Sequence, residues 1–273
     1  MVEMKSENSI LQAETEFHDE WAASVNLADI DVTRAFEAST APENRFILKM
    51  MGDIRGKRIL DVGCGLGESS VYFALRGAHV TALDLSPKMV HLAKRLAAYH
   101  GTKLEGVVSS AEALSVPAGY FDFVYLGNVV HHVMDRDTLW ARVNDALKPG
   151  GVFFSWDPIE YNPVINVYRR LATKVRTADE APLRRSDLAK VRRQFGNVGH
   201  KEFWLFALLI FLKYFLVNGI RPNEDRYWKR ILKEPEENLG WFRALQAIDR
   251  FATAIPGLRW LCWNIVIWGR KDA

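Results

Sequence analysis

The chain has 273 residues, 49% of them apolar and 25% charged, with a formal net charge of +3. This is the composition of a globular chain long enough to bury a sizeable core, and it excludes a disordered polymer or a strongly basic nucleic-acid binder. The two cysteines, Cys64 and Cys262, lie far apart with no Cys/His ligand spacing, so neither a metal site nor a disulfide framework is expected.

Residues 1–21 are rich in acids and lack a basic segment followed by an apolar one. No signal peptide is read there, and the expected compartment is the cytoplasm. From about 57 to 157, short apolar runs alternate with amphipathic helical patterns. Expected strands are Arg58–Val62, His79–Leu83, Leu104–Val108, Phe121–Leu126 and Gly151–Trp156. Most are near-continuous apolar runs, as parallel strands covered on both faces require. Between them, Ser86 can cap a helix with Pro87 at its first position, an apolar stripe from Met89 to Tyr99, and Gly101 at its end. A second helix starts near Asp135 or Asp137, carries Leu139, Trp140, Val143 and Leu147, and stops at the Lys148–Gly151 turn. The alternation predicts a doubly wound α/β sheet with ligands at the carboxyl ends of its strands.

After Asp157 the pattern changes. Residues 158–200 are polar with helical stretches, including a helix start at Ser186-Asp187. FWLFALLIFLKYFLV (203–217) is 15 residues long with Lys213 inside it, short of the roughly 20 apolar residues that span a bilayer. Lys201, Lys213 and Arg221 flank or interrupt it, which suits a lid over a lipophilic ligand or a contact with a membrane surface. A buried core helix or a dimer face accounts for it equally well. A helical stripe follows at Trp241, Leu245, Ile248, Phe251 and Ile255, and the run Leu258–Trp268 is expected to form the last strand.

The chemistry concentrates at GCGLGESS (63–70), directly after the first strand. A dinucleotide fingerprint would place a small residue at position 68, where this chain has Glu68. A carboxylate there suits the helix dipole but repels a pyrophosphate, which argues against NAD or FAD. Gly63, Gly65 and Gly67 still allow a ligand close to the backbone. Asp84, at the end of the second strand, can accept hydrogen bonds from both hydroxyls of a ribose. Together these residues ask for a nucleoside without a phosphate.

Four segments, LDVGCGLGESS (60–70), ALDLSPKMV (82–90), SSAEALSVPAGYFDFVYLGNVVHHV (109–133) and LKPGGVFFSWDP (147–158), occur in that order. In them the chain resembles the class I S-adenosylmethionine-dependent methyltransferases, particularly those that methylate small molecules and quinone-like lipids. The resemblance spans roughly 43–158 and is loose outside that range. It implies a mostly parallel seven-stranded, Rossmann-like sheet in a single domain over 1–273. Within it, 1–56 would be a helical cap, 57–158 the cofactor core, and 159–273 a helical insertion acting as substrate lid with the last strands. S-adenosylmethionine is the implied cofactor. Asp61 would lie near its ammonium, with Gly63, Gly65 and Gly67 along its methionine portion. Asp84 would hold the ribose, Leu85 would pack on the adenine, and Ser110, Ala111 and Glu112 would border the adenine edge. Asn128 would present backbone groups to the ammonium. Ser110 departs from the family, which usually carries Asp there.

For an acceptor hydroxyl or ring carbon a base helps, and His131 and His132 stand after the fourth strand. Asp157, Glu160 and Tyr161 follow the fifth strand and could meet substrate, while His18, Asp19 and Trp21 belong to the expected cap. The expected function is methyl transfer to a small lipophilic metabolite, with no nucleic acid, no metal, and peripheral membrane contact through 203–217 as a hypothesis. Sugar, polyketide or amine acceptors stay open, as does a non-catalytic cofactor-binding partner module.

Overall fold

Seven strands form one sheet in the computed structural model of the protein, which describes residues 7–173 and 180–273. They are β1 (Arg58–Val62), β2 (His79–Asp84), β3 (Glu105–Val108), β4 (Phe121–Gly127), β5 (Leu147–Pro158), β6 (Asn197–Phe203) and β7 (Asn264–Arg270), in the order β3-β2-β1-β4-β5-β7-β6. β7 alone runs antiparallel to its neighbours. Chain order reverses between β1 and β4, the crevice where a doubly wound sheet takes its ligand.

The helices of the amino-terminal half are α1 (Glu7–Ser24), α2 (Arg34–Glu37), α3 (Pro42–Met51), α4 (Glu68–Leu75), α5 (Pro87–Tyr99) and α6 (Arg136–Ala146). α7 (Pro163–Leu171), α8 (Asp187–Gln194), α9 (Leu209–Leu212), α10 (Tyr227–Arg230) and α11 (Gly240–Ala252) complete the set. The sheet buries both faces. One core packs α6 and α8 against β4 and β5 through Leu139, Trp140, Phe153 and Phe195. The other packs α3, α4 and α5 through Ile47, Phe73, Leu92 and Leu96.

Local chemistry explains the punctuation. Ser86 Oγ accepts from the Met89 N–H at 3.0 Å and caps α5, with Pro87 in its first turn. Asp135 does the same for α6 through the Thr138 N–H at 3.1 Å. The turn expected at 148–151 is absorbed into β5, which begins at Leu147 and pairs with β4 through a register shift between Phe121 and Phe123.

The second half departs further from the sequence pattern. β6, NVGHKEF, carries no apolar run because it is an edge strand with a single neighbour. The final strand starts at Asn264, and Leu258–Leu261 forms a short 3₁₀ turn instead. Residues 203–217 do not make one helix. Phe203 ends β6, Trp204 adopts a left-handed φ of 71°, and α9 passes into a π turn at Lys213–Val217.

One face of that run, Trp204, Ile210, Phe211 and Tyr214, packs on Ile165, Tyr227 and Phe242. Its other face, including Leu209, Phe215, Leu216 and Val217, is exposed. Much of the stripe read at Trp241 to Ile255 is also turned outward: Ile248 and Ile255 are about half exposed and Phe251 is 80% exposed, while Leu245 packs inward. α11 is held instead by Phe242 and by Asp249, whose carboxylate accepts from the N–H groups of Leu205, Phe206 and Ala207. Three such bonds fix the backbone just after Trp204.

Candidate active site

A cavity of about 340 Å³ opens at the carboxyl ends of the parallel strands. α1 and the segment around α10 close over it: Trp21 meets Trp228 edge to face, and the Arg226 guanidinium lies 4.2 Å from the Trp21 ring centre. Glu68, first residue of α4, pairs with Lys229 of α10. The acid at the mouth of α4 therefore ties the segment around α10 to the glycine turn.

The glycine turn has separate reasons at two of its positions. A Cβ on Gly63 would come within 2.3 Å of Val129, and one on Gly67 within 2.7 Å of the Ala93 backbone. Both glycines have positive φ, so a side chain there would be strained as well as crowded. At Gly65 an added Cβ meets nothing within 4 Å, because this residue borders the open cavity.

Asp84 organises this end. Its Oδ2 accepts from the Gly65 N–H and its Oδ1 from the Ser86 N–H, each at 2.9 Å. Burial raises its pKa, and these backbone bonds pull it partly back. Leu85, Ser110, Ala111 and Glu112 line the same end. The Ser110 hydroxyl accepts from the Ala113 N–H at 3.2 Å, so part of its capacity is spent on its own turn. Asn128 also lines the cavity and holds a φ of 62°, unusual for a residue with a side chain. Its N–H donates to the Trp156 carbonyl at 2.7 Å.

Asp61 stands behind the cavity wall, not on it. Fully buried, its Oδ2 accepts from the Ser69 and Ser70 hydroxyls at 2.6 and 2.5 Å, and burial pushes its pKa up to about 6. Of its two hydroxyl partners, Ser69 lines the cavity.

His131 and His132 both reach the cavity, their rings 4.1 Å apart. Asp157 is a support for His131: its Oδ1 lies 2.9 Å from His131 Nδ1 and accepts the His131 backbone N–H at 3.1 Å. Burial raises Asp157 to about 8, against the pull of the His131 N–H, Arg136 and His132. His132 Nδ1 lies 3.2 Å from Glu14 Oε1, and Glu14 Oε2 lies 3.4 Å from His18 Nε2. Burial draws the pKa of His132 down, but the bond to Glu14 and the charges of Glu14, Glu180 and Asp157 outweigh it and leave the value raised. Ligand atoms of His131, His132 and Glu180 lie within 4.8 Å of one another, a grouping that could take a cation and that sequence spacing did not reveal.

His18 lines the cavity. Tyr161 does not: its hydroxyl accepts from the Arg185 N–H outside the site. Glu160 pairs with Arg184, and Asp19 accepts from Ser86 Oγ at 2.5 Å. Sequence reading missed Glu14, Thr40, Glu43, Trp204 and Asn264, which all line the cavity. Glu43 in the first turn of α3 reads as an ordinary dipole-compensating acid. Asn264 gave the one faint signal, a polar residue interrupting an apolar run.

Residues 60–155 match the family described as a methyltransferase domain. The ubiquinone biosynthesis O-methyltransferase of Methylocella silvestris is 33% identical over 124 residues, covering 45% of this chain and 47% of that protein. Its counterpart from Aromatoleum aromaticum is 40% identical over 104 residues, covering 37% and 44%. The chain thus spans less than half the length of these curated relatives. Among solved structures, phosphoethanolamine N-methyltransferase 2 of Haemonchus contortus superposes with a TM-score of 0.60 at 18% identity, over 94% of this chain and 59% of that one. That likeness concerns the fold.

Proposed function

We propose that the chain is a class I S-adenosylmethionine-dependent methyltransferase that transfers a methyl group to a hydroxyl of a small lipophilic acceptor, a reading supported by the methyltransferase-domain match over 60–155 and the O-methyltransferase relatives. One observation carries the reading. Asp84 with the open turn at Gly65, and His131 backed by Asp157, stand on the walls of one cavity. The residues present fit the cofactor: Gly65 leaves room for a ligand against the backbone, Asp84 offers a ribose its oxygens, and the Glu68 carboxylate in the first turn of α4 disfavours a pyrophosphate. When bound, S-adenosylmethionine supplies a methyl group activated by a sulfonium. The relatives named for ubiquinone O-methylation support a quinol-like acceptor, and S-adenosylhomocysteine in the Haemonchus structure supports the cofactor.

The chain's own work is to position the acceptor, exclude water and take a proton. Closure by Trp21, Trp228 and the Glu68–Lys229 pair shuts out water. Asp157 holds His131 by Nδ1, so the ring nitrogen turned away from Asp157, Nε2, takes the acceptor's hydroxyl proton. Calorimetric titration tests the reading. S-adenosylmethionine and S-adenosylhomocysteine should bind at about micromolar Kd, the range usual for enzyme ligands, and NAD should not. Silence from the first two rejects it and brings the partner-module reading forward.

The acceptor's route concerns the outer surface. No described helix is long and apolar enough to cross a membrane. Yet Leu209, Phe215, Leu216 and Val217 are exposed, and Lys213 of that segment lies over the Trp241 ring of α11, joining it to exposed Ile248 and Phe251. An apolar surface with a cationic side chain in it suits an anionic bilayer interface. With phosphatidylglycerol-containing vesicles, the protein should float in a density gradient, and Leu216→Glu with Phe251→Glu should abolish flotation. Retention of the unmodified protein in the soluble fraction rejects membrane docking.

A further inference from the structure

The β7 side of the cavity carries buried polar chemistry that cofactor binding and proton transfer do not use. Glu43 is 5% exposed, and its Oε1 accepts from Asn264 Nδ2 at 2.6 Å. Asn264 opens β7 opposite Pro158, the last residue of β5, and opposite Phe203, the last of β6. It therefore stands at the ligand-binding edge of the sheet, beyond β4 and β5 from the ribose site over β1 and β2. Thr40 lies three residues before Glu43, and Trp204 follows β6 directly. All four side chains line the cavity. Thr40 Oγ1 and Asn264 Oδ1 are buried with no hydrogen-bond partner, and the Trp204 indole N–H is turned toward Glu43. Such atoms are rare in folded chains, and two of them with a buried carboxyl and an indole N–H on the walls of one cavity mark a built recognition site.

The donor set selects the ligand. Glu43 and Asn264 Oδ1 offer acceptors, the Trp204 indole offers a donor aimed near enough to Glu43 to favour its charged form, and Thr40 offers either. Burial nevertheless holds Glu43 up at about 7, so the site disfavours an anion. A neutral hydroxyl, with one proton and two lone pairs, satisfies the set. An ammonium would find acceptors here, but it must give up its hydration in a site where burial already resists the charge of Glu43.

We propose that Thr40, Glu43, Trp204 and Asn264 form a subsite for a second, non-reacting hydroxyl on the β7 side of the acceptor. The inference rests on the methyl-transfer reading only in naming the ligand an acceptor. A diol or dihydroxyaryl compound, one hydroxyl at His131 and the other here, is the substrate class it assigns.

Full-length protein saturated with S-adenosylhomocysteine can be titrated with 4-propylphenol, 4-propylbenzylamine and propylbenzene, in the unmodified chain and in His131→Ala, Glu43→Gln and Trp204→Phe. In both the unmodified chain and His131→Ala, the phenol should bind about tenfold tighter than propylbenzene, the worth of one good hydrogen bond. Glu43→Gln should reduce that preference and Trp204→Phe should shrink it further, with S-adenosylhomocysteine affinity unchanged in both. A purely structural Glu43 would alter melting temperature but leave the probe ratio intact, which overturns the proposal. Loss of the preference in His131→Ala overturns it too, by assigning all recognition to the base. A preference for the amine overturns the neutral-hydroxyl assignment in favour of a cation site. If S-adenosylhomocysteine fails to bind while the probe ratios hold, the subsite stands and the methyl-transfer reading falls.

Discussion

Replacing His131 by alanine is expected to lower kcat by about 10²–10⁴, the usual worth of a positioned base, while the Kd for S-adenosylmethionine stays within about twofold. The expectation follows from the way the ring is held. Asp157 Oδ1 takes both the His131 backbone N–H and the contact with Nδ1, so ring and main chain are fixed by one buried carboxylate. Only with Asp157 ionised and the proton on Nδ1 can Nε2 accept a proton; a protonated Asp157 would donate to Nδ1 and leave the hydrogen on Nε2. Burial raises Asp157 to about 8, so the competent form is the minority at neutral pH and gains as pH rises. Activity should therefore climb through that mildly alkaline range. Asp157→Asn should flatten the climb and lower kcat, because the amide oxygen held by the His131 backbone N–H still orients the ring but carries no charge to stabilise the imidazolium that forms. A His131→Ala variant with wild-type kcat removes the base assignment. Inactivation by a chelator, reversed by a divalent cation, would instead make His131, His132 and Glu180 ligands of an ion.

What could be seen in the sequence was what lies close together along the chain. β1, β2, β4 and β5 declare themselves because a strand covered on both faces must be apolar at nearly every position, and the caps at Ser86 and Asp135 each act within three residues. The glycine turn and Asp84 were legible for the same reason: Gly63 to Gly67 and Asp84 sit on one strand–turn–helix unit and the strand beside it. The opposite walls of the cavity were not. Glu43 and Asn264 are partners 221 residues apart, and Glu14 reaches His132 across 118. No periodicity carries such pairings. β6 escaped because an edge strand needs no apolar run, and the α11 stripe left its orientation open because amphipathicity reports that a helix has two faces without saying which is buried. There the deciding contact was Asp249, a single acid gathering three backbone N–H groups.

Replacing Asp84 by alanine is expected to weaken S-adenosylmethionine binding by about 10²-fold or more, since hydrogen bonds to a charged group contribute about 1.5–3 kcal/mol each. Its two oxygens offer about four acceptor positions. Gly65 and Ser86 take one on each oxygen, leaving one on each for the vicinal hydroxyls of a ribose. The same two backbone bonds make Asp84 a structural brace of the glycine turn, so a loss of affinity alone would not separate recognition from collapse of the turn. Methylthioadenosine and its 2′,3′-dideoxy analogue make the separation. The unmodified protein should prefer the ribose form strongly, and Asp84→Ala should lose that preference; a collapsed turn would weaken both ligands in proportion and keep it. Because burial raises the pKa of Asp84, protonation competes with ribose binding, and affinity should fall as pH is lowered into the carboxylate range. An Asp84→Ala protein that still prefers the ribose form would take the nucleoside away from β2. It would reopen the question of what the glycine turn holds.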